Sequence, residues 1–151
     1  MLKIKRTTSD DTDFHMLVES LDKDLLDRYG DLQTFYNRFN AIQNIPTVVI
    51  AYFDNEAVGC GCFKKFDEGS VEIKRMYVCD EQRGKGIGAA ILSELEKWAA
   101  ELKISSMVLE TGTNQPEAIH LYGKLGYTNI SNYGPYIGNE EYSICMKKKL
   151  S

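Results

Sequence analysis

Residues 83–88 read Arg83-Gly84-Lys85-Gly86-Ile87-Gly88, three glycines at alternate positions beside two cations. Upstream, residues 70–78 follow the turn Asp67-Glu68-Gly69 and read as a strand. Downstream, Ile87, Ile91, Leu95, Trp98 and Leu102 recur at steps of three or four, which makes 85–103 a long amphipathic helix. The glycines therefore open a helix. A helix start exposes unpaired backbone N–H groups and about half a positive charge. Glycines remove the Cβ atoms that would hold a phosphate away from those groups, and Arg83 and Lys85 add cationic side chains. The segment predicts a diphosphate site.

Two common diphosphate motifs do not fit. The phosphate-binding loop of nucleotide triphosphatases needs Gly-x-x-x-x-Gly-Lys-Ser/Thr, which is absent. A dinucleotide fold needs Gly-x-Gly-x-x-Gly, and here the third glycine comes one residue early. Glu110 does lie near the end of the next strand, as a dinucleotide site would want. However, Val71-Glu72-Ile73-Lys74-Arg75-Met76 is too charged for the middle of a doubly wound sheet.

Working outward, 2–7 forms a first strand and Ser9-Asp10-Asp11 offers a helix cap. Phe14, Leu17, Val18, Leu21 and Leu25 then follow at helical spacing up to Gly30. A second helical run carries Leu32, Phe35, Tyr36, Phe39 and Ile42. Residues 47–53 and 57–66 are strands joined at Asp54-Asn55, so with 70–78 they make an antiparallel meander. After the long helix, Met107-Val108-Leu109 marks a short buried strand at 106–111. It needs a crossover from 70–78 and should run parallel to it. A helix over 116–125 starts at Pro116 and is capped by Gly126. Strands at 127–130 and 142–148 flank a polar loop, 131–141. The expected class is α+β with a mixed sheet.

The 151 residues suit one domain spanning 1–151, and 43% hydrophobic against 26% charged residues is an ordinary globular balance. A net charge of −4, from 18 basic and 22 acidic residues, gives no basic excess for nucleic acid. There is no signal-like start and no apolar run of membrane-spanning length, so a cytoplasmic protein without a membrane partner is expected. Cys60-Gly61-Cys62 is spaced too tightly for a zinc pair. With Cys79 and Cys145, these cysteines read as buried small hydrophobes, and no metal is expected.

Three blocks together resemble the GNAT superfamily of N-acetyltransferases. Arg83 to Gly88 matches that family's Arg-x-x-Gly-x-Gly signature, and Glu72 to Val78 resembles its fourth strand. Ala118-Ile119-His120-Leu121-Tyr122-Gly123-Lys124-Leu125-Gly126-Tyr127 resembles its Ala-x-x-Leu-Tyr-x-x-x-Gly-Phe block. The likeness is strong over about 70–130 and weaker over the first 66. One departure is Gln115 where the family often has Asn, with Asn114 just before it.

The resemblance implies a twisted, mostly antiparallel sheet of about seven strands flanked by about four helices. Strands 70–78 and 106–111 should splay apart at a bulge near Arg75 to Val78. Acetyl-coenzyme A would be the cosubstrate. Its pyrophosphate would rest on Arg83, Gly84, Lys85, Gly86, Ile87 and Gly88, and its pantetheine arm against Met76, Tyr77 and Val78, with Asn114 or Gln115 touching the arm. Tyr122 is the implied acid toward the coenzyme sulfur and Glu72 the implied base, with Glu110 a second candidate. On its own, Tyr122 shares a helical stripe with Ala118, Leu121 and Leu125, which favours core packing, and the motif match is what points to the acid role. Glu72 equally suits a solvated strand position paired with Lys74. His120 stands two residues before Tyr122 and is expected to face elsewhere, and His15 to be structural. Tyr29, Tyr36, Tyr133 and Tyr136 are candidates for the acceptor pocket.

The expected reaction is acetyl transfer to a small-molecule primary amine by direct attack in a ternary complex. The rival readings are acetylation of a protein or peptide and a non-catalytic acyl-coenzyme A sensor. The last strands could also pair two subunits into a homodimer.

Overall fold

Polar turns fold consecutive strands back on one another, and side-chain alternation then decides which layer each face meets. Asp54 and Asn55 both take positive φ (50° and 71°), as a two-residue hairpin turn requires. The structure is a computed structural model that describes residues 1–30 and 44–150. Its elements are β1 (Leu2–Thr7), α1 (Thr12–Tyr29), β2 (Val48–Phe53), β3 (Glu56–Lys65), β4 (Ser70–Val78), α2 (Ile87–Glu101), β5 (Ser106–Gly112), α3 (Pro116–Lys124), β6 (Thr128–Ile130) and β7 (Ser143–Lys149). The helical run from Leu32 to Ile42 lies outside the described residues.

The seven strands form one sheet in the order β1-β2-β3-β4-β5-β7-β6. Among the described residues only the β4–β5 pair is parallel, joined through α2 as a crossover requires. The mixed sheet and its antiparallel meander thus match the expectation. Capping sets the helix ends as the sequence indicates. The Asp11 side chain accepts the Asp13 N–H at the start of α1, and Gly30 closes its end. At the end of α3, Gly126 takes φ +98°. Tyr127 N–H bonds Tyr122 C=O and Gly126 N–H bonds Gly123 C=O, a Schellman closure. One boundary moves: α2 begins at Ile87 rather than at residue 85, because Gly84 and Gly86 are left-handed (φ +80° and +81°) and Gly86 serves as its cap.

The two larger cores among the described residues lie on opposite faces of the sheet. Val71, Ile73, Met107, Leu109 and Met146 meet Ile91, Leu92 and Leu95 on the α2/α3 side. Phe14, Leu17 and Val18 of α1 cover Val48, Ile50, Cys60 and Cys62 on the other. Alternation in β3 serves both layers. Its cysteines face α1, while Gly59 and Gly61 let α2 lie close. A Cβ on Gly61 would stand 3.1 Å from both Ile91 and Leu95, and one on Gly59 would stand 2.9 Å from Ile91 and 2.8 Å from the Tyr77 carbonyl oxygen. Because that last neighbour is backbone, it cannot swing away. Gly59→Ala is therefore expected to destabilise the protein by about 1 kcal/mol through overpacking, read as a lowered urea midpoint with unchanged m-value.

Candidate active site

The site begins where β4 and β5 stop pairing. Their register runs from Ser70↔Ser106 to Ile73↔Leu109 and ends there. Beyond it β5 stays paired to β7 as far as Gly112↔Ser143, so it is β4 that departs. The departure is a bulge. Cys62 pairs with Lys74 and Cys60 with Tyr77, so Gly61 alone faces both Arg75 and Met76. Arg75 takes φ +58°, and its guanidinium is held by Asp22 of α1. The bulge disturbs the ladder, and two buried thiols satisfy its carbonyls. Cys62 Sγ donates to Lys74 C=O and Cys60 Sγ to Arg75 C=O, each at 3.3 Å. Burial pushes the Cys62 thiol up to about 12, which keeps it a protonated donor. Cys60, Cys62 and Cys145 are buried, as their sequence suggests, whereas Cys79 is only half-buried, and the first two also serve as donors to the bulge.

The glycine turn lies just past the splayed end of β4. Gly84 and Gly86 are left-handed on either side of Lys85, which is not, an alternation that converges successive N–H groups on one concavity. Among the described residues, the N–H groups of Gly84, Lys85 and Gly86 make no backbone hydrogen bond, and the ladder of α2 opens with Ala90 N–H on Gly86 C=O. Open space stands where Cβ atoms on Gly84 and Gly86 would be. The turn leaves these donors without backbone acceptors and the space beside its glycines open, and it fits a diphosphate.

A cleft of about 450 Å³ runs from this cradle along α3 to the bulge, lined by Met76, Tyr77, Val78, Gly84, Gly86 and Tyr122 among others. A smaller cavity of about 100 Å³ follows it between the splayed strands, with Lys74, Arg75, Glu110 and Thr111 in its walls. Leu21, Met76, Gln115, Ala118 and Tyr122 line both, so the two spaces meet at Tyr122.

Tyr122 is buried, yet its hydroxyl makes no hydrogen bond to a described residue. No fully buried side-chain oxygen or nitrogen lacks a partner among those residues, so this phenol opens into the cleft. Burial, and then the charge of Glu110, raise its pKa and keep it protonated at neutral pH. Burial likewise pushes the Glu110 carboxyl up to about 7, with Glu72 adding to the rise and the Ser143 hydroxyl and Lys74 opposing it.

Glu72 meets one expectation for it in part. It is buried rather than solvated, and it does pair with Lys74, at 3.3 Å. The Tyr133 hydroxyl donates to the same Glu72 oxygen, Oε2, at 2.8 Å, and Lys74 also reaches the Tyr136 hydroxyl at 3.2 Å. The 131–142 segment folds these tyrosines over the polar face of β4. Burial lowers the Lys74 pKa against the pull of Glu72.

Other sequence candidates fall on both sides of the cleft wall. Met76, Tyr77, Val78, Arg83, Gly84, Gly86, Ile87, Gly88, Gln115 and Tyr122 line the large cleft. Lys85 is turned to Gln82, at 3.1 Å, and over the Phe53 ring. Asn114 offers its backbone C=O to Arg28, while Gln115 accepts the Gly112 N–H and reaches both cavities. Arg83 bonds the Val78 carbonyl and pairs with Asp80 and Asp24. His120 corrects its expectation, since it lines the large cleft instead of facing away. His15 holds the Ser9 carbonyl, a structural role as expected. Tyr36 lies outside the described residues.

A glycine turn open to a diphosphate, leading into a slot between splayed strands, suits a protein that takes a coenzyme by its tail and presents its acyl end at the gap. Residues 14–127 match the Acetyltransferase (GNAT) family, and the chain belongs to it. It is an N-acetyltransferase whose acetyl donor is acetyl-coenzyme A. An IAA acetyltransferase of Azospirillum brasilense is 36% identical over 145 residues, covering 89% of this chain and 88% of its own. The Bacillus subtilis spermine/spermidine N(1)-acetyltransferase is 32% identical over 84 residues, 50% of this chain and 55% of that one. In structure, a candidate acyl-CoA N-acyltransferase from Klebsiella pneumoniae aligns with TM-score 0.83 at 28% identity, over 100% of this chain and 99% of that one.

Proposed function

We propose that this chain acetylates a primary amine of a small molecule by direct attack on the thioester in a ternary complex, with Glu110 as base and Tyr122 as acid. The observation that carries this reading is the meeting of the two cavities at Tyr122, with Glu110 on the far side. Coenzyme A supplies a thioester whose carbonyl accepts the amine and whose sulfur leaves. The chain's own residues do the rest.

The cradle N–H groups hold the diphosphate, and the freed edge of Met76 to Val78 can pair with the amide-bearing arm as a false strand. An amine arrives as ammonium, with a pKa near about 10, and cannot attack until it loses a proton. Glu110, pushed up to about 7, is partly ionised at neutral pH and basic enough to take that proton directly or through water. Tyr122 then donates its free hydroxyl proton to the departing sulfur. Glu72 is already engaged by Lys74 and Tyr133, which favours Glu110 over it as the base.

A small acceptor is supported by the roughly 100 Å³ on the acceptor side among the described residues, and by the amine named for the spermine/spermidine relative. Four thiols without disulfides fit a reducing, cytoplasmic setting. The test is thiol release from acetyl-coenzyme A across amino acids, polyamines, aminoglycosides and peptides, with product masses recorded. Turnover is expected with one free-amine class and a mass gain of one acetyl group. Turnover with peptides alone would overturn the small-molecule reading, and coenzyme binding without release for any amine would make the chain a sensor.

A further inference from the structure

The coenzyme carries a third phosphate, a monoester on the 3′-oxygen of its ribose, and nothing above accounts for it. The large cleft shows where it would lie. Gly88 of the cradle lies against Leu121, at 3.1 Å from where its Cβ would be, which fixes the diphosphate level with the middle of α3. From there the arm runs toward Ala118 and Gln115, near the start of α3, because those residues also line the smaller cavity. The nucleotide must leave in the opposite direction, toward the end of α3. His120, Lys124 and Leu125 line the cleft there.

The charges along this cleft are mostly spent. Arg83 is paired with Asp80 and Asp24, and Glu117 with Arg28. Lys124 is the exception. It is exposed and lines the cleft, and it makes no ion pair, hydrogen bond or ring contact with a described residue. His120 stands one helical turn before it on the same wall and is likewise without a partner. A free ammonium with a second N–H donor beside it, at the nucleotide end of a coenzyme cleft, suits a phosphate monoester. The diphosphate does not need this cation, since backbone N–H groups already meet it.

We propose that Lys124, with His120 beside it, recognises the 3′-phosphate of coenzyme A and so makes the protein prefer the phosphorylated coenzyme over its 3′-dephospho form. This rests on the coenzyme placement described above. Lys124 sits on the surface, so its contact is screened and the preference is modest, about fivefold.

Isothermal titration of the full chain with coenzyme A and with 3′-dephospho-coenzyme A tests it. Wild type should bind coenzyme A about fivefold more tightly, and more so at low salt. Lys124→Ala should lose that preference entirely with the dephospho form bound as before, and Lys124→Arg should keep it. An alanine variant that still prefers coenzyme A, or one weakened equally toward both, overturns the assignment. If wild type binds neither form, the placement of the coenzyme itself falls, a result separate from loss of preference alone.

Discussion

Glu110→Gln is expected to lower kcat by about 100-fold, within the range for loss of a general base, and to make the protein more stable at pH 8. Both effects have one cause. The carboxyl sits between splayed strands where burial disfavours its charged form, so it titrates at about 7 rather than in the usual carboxylate range. A base must be ionised to act, so kcat/KM in wild type should rise with pH through about 7. Glutamine holds no proton to exchange, and that limb should vanish from the residual rate. Glu72→Gln is the control. Its carboxyl is occupied by Lys74 and Tyr133, so the limb near 7 should survive its loss. A limb abolished by Glu72→Gln and retained by Glu110→Gln would reverse the assignment.

The stability effect follows from linkage. In the unfolded chain Glu110 titrates near about 4.3, so the folded value is the higher one. Its favourable contribution is complete below that unfolded value. It is lost as pH rises through the folded value of about 7, because the native state must then hold a charge that burial penalises. Part of the carboxyl still meets solvent, which screens the penalty, so removing it is expected to add about 2 kcal/mol at pH 8. Glutamine keeps the shape and can still accept from Ser143. Thermal melts of the two proteins should separate at pH 8 and converge near pH 4. Equal melting temperatures at pH 8 would mean that Glu110 is not desolvated.

What the sequence disclosed is what short range decides. The glycine turn, the Asp11 and Gly126 caps, the meander turns and the alternation of Val71 and Ile73 with Glu72 and Lys74 all act within a few residues. The structure reproduces each of them. A strand of that charge cannot sit between two apolar layers. It sits with its apolar face on α2 and its polar face under Tyr133 and Tyr136. That second covering joins residues 61 apart in the chain, which no local pattern reports, and so the sequence leaves Glu72 open between a base and a solvated strand glutamate.

Register decides the rest. Cys60 and Cys62 share a face by simple alternation. That their thiols would meet the carbonyls of Lys74 and Arg75 depends on which residue of β3 faces the bulge. His120 is misjudged for a related reason. It stands two positions before Tyr122 on the helix, which sets their faces apart only if the cleft is narrow. The cleft here runs the length of α3 and takes lining from several faces of that helix. Gln115 and Asn114 also separate by position, since Gln115, as the cap of α3, lines both cavities, whereas Asn114 lines neither and gives its carbonyl to Arg28.

Tyr122→Phe is expected to lower kcat by at least about tenfold with little change in the affinity for coenzyme A. The structure allows so clean a separation because the hydroxyl supports nothing else. The ring packs in the α2/α3 core, edge-on to Tyr127 at 5.9 Å, and phenylalanine keeps every one of those contacts. The hydroxyl has no partner among the described residues, so removing it breaks no hydrogen bond and leaves no buried group orphaned. Any loss must therefore come from the transition state, where a thiolate is departing. The leaving group gives a second readout. A thiolate needs less help as its thiol becomes more acidic, so the tenfold gap should narrow with an acetyl thioester of a lower-pKa thiol that still fits the slot. If the variant turns over coenzyme A thioesters as fast as wild type, Tyr122 is a core residue with an idle hydroxyl. A gap that stays constant across leaving groups would leave it binding the thioester rather than protonating the sulfur.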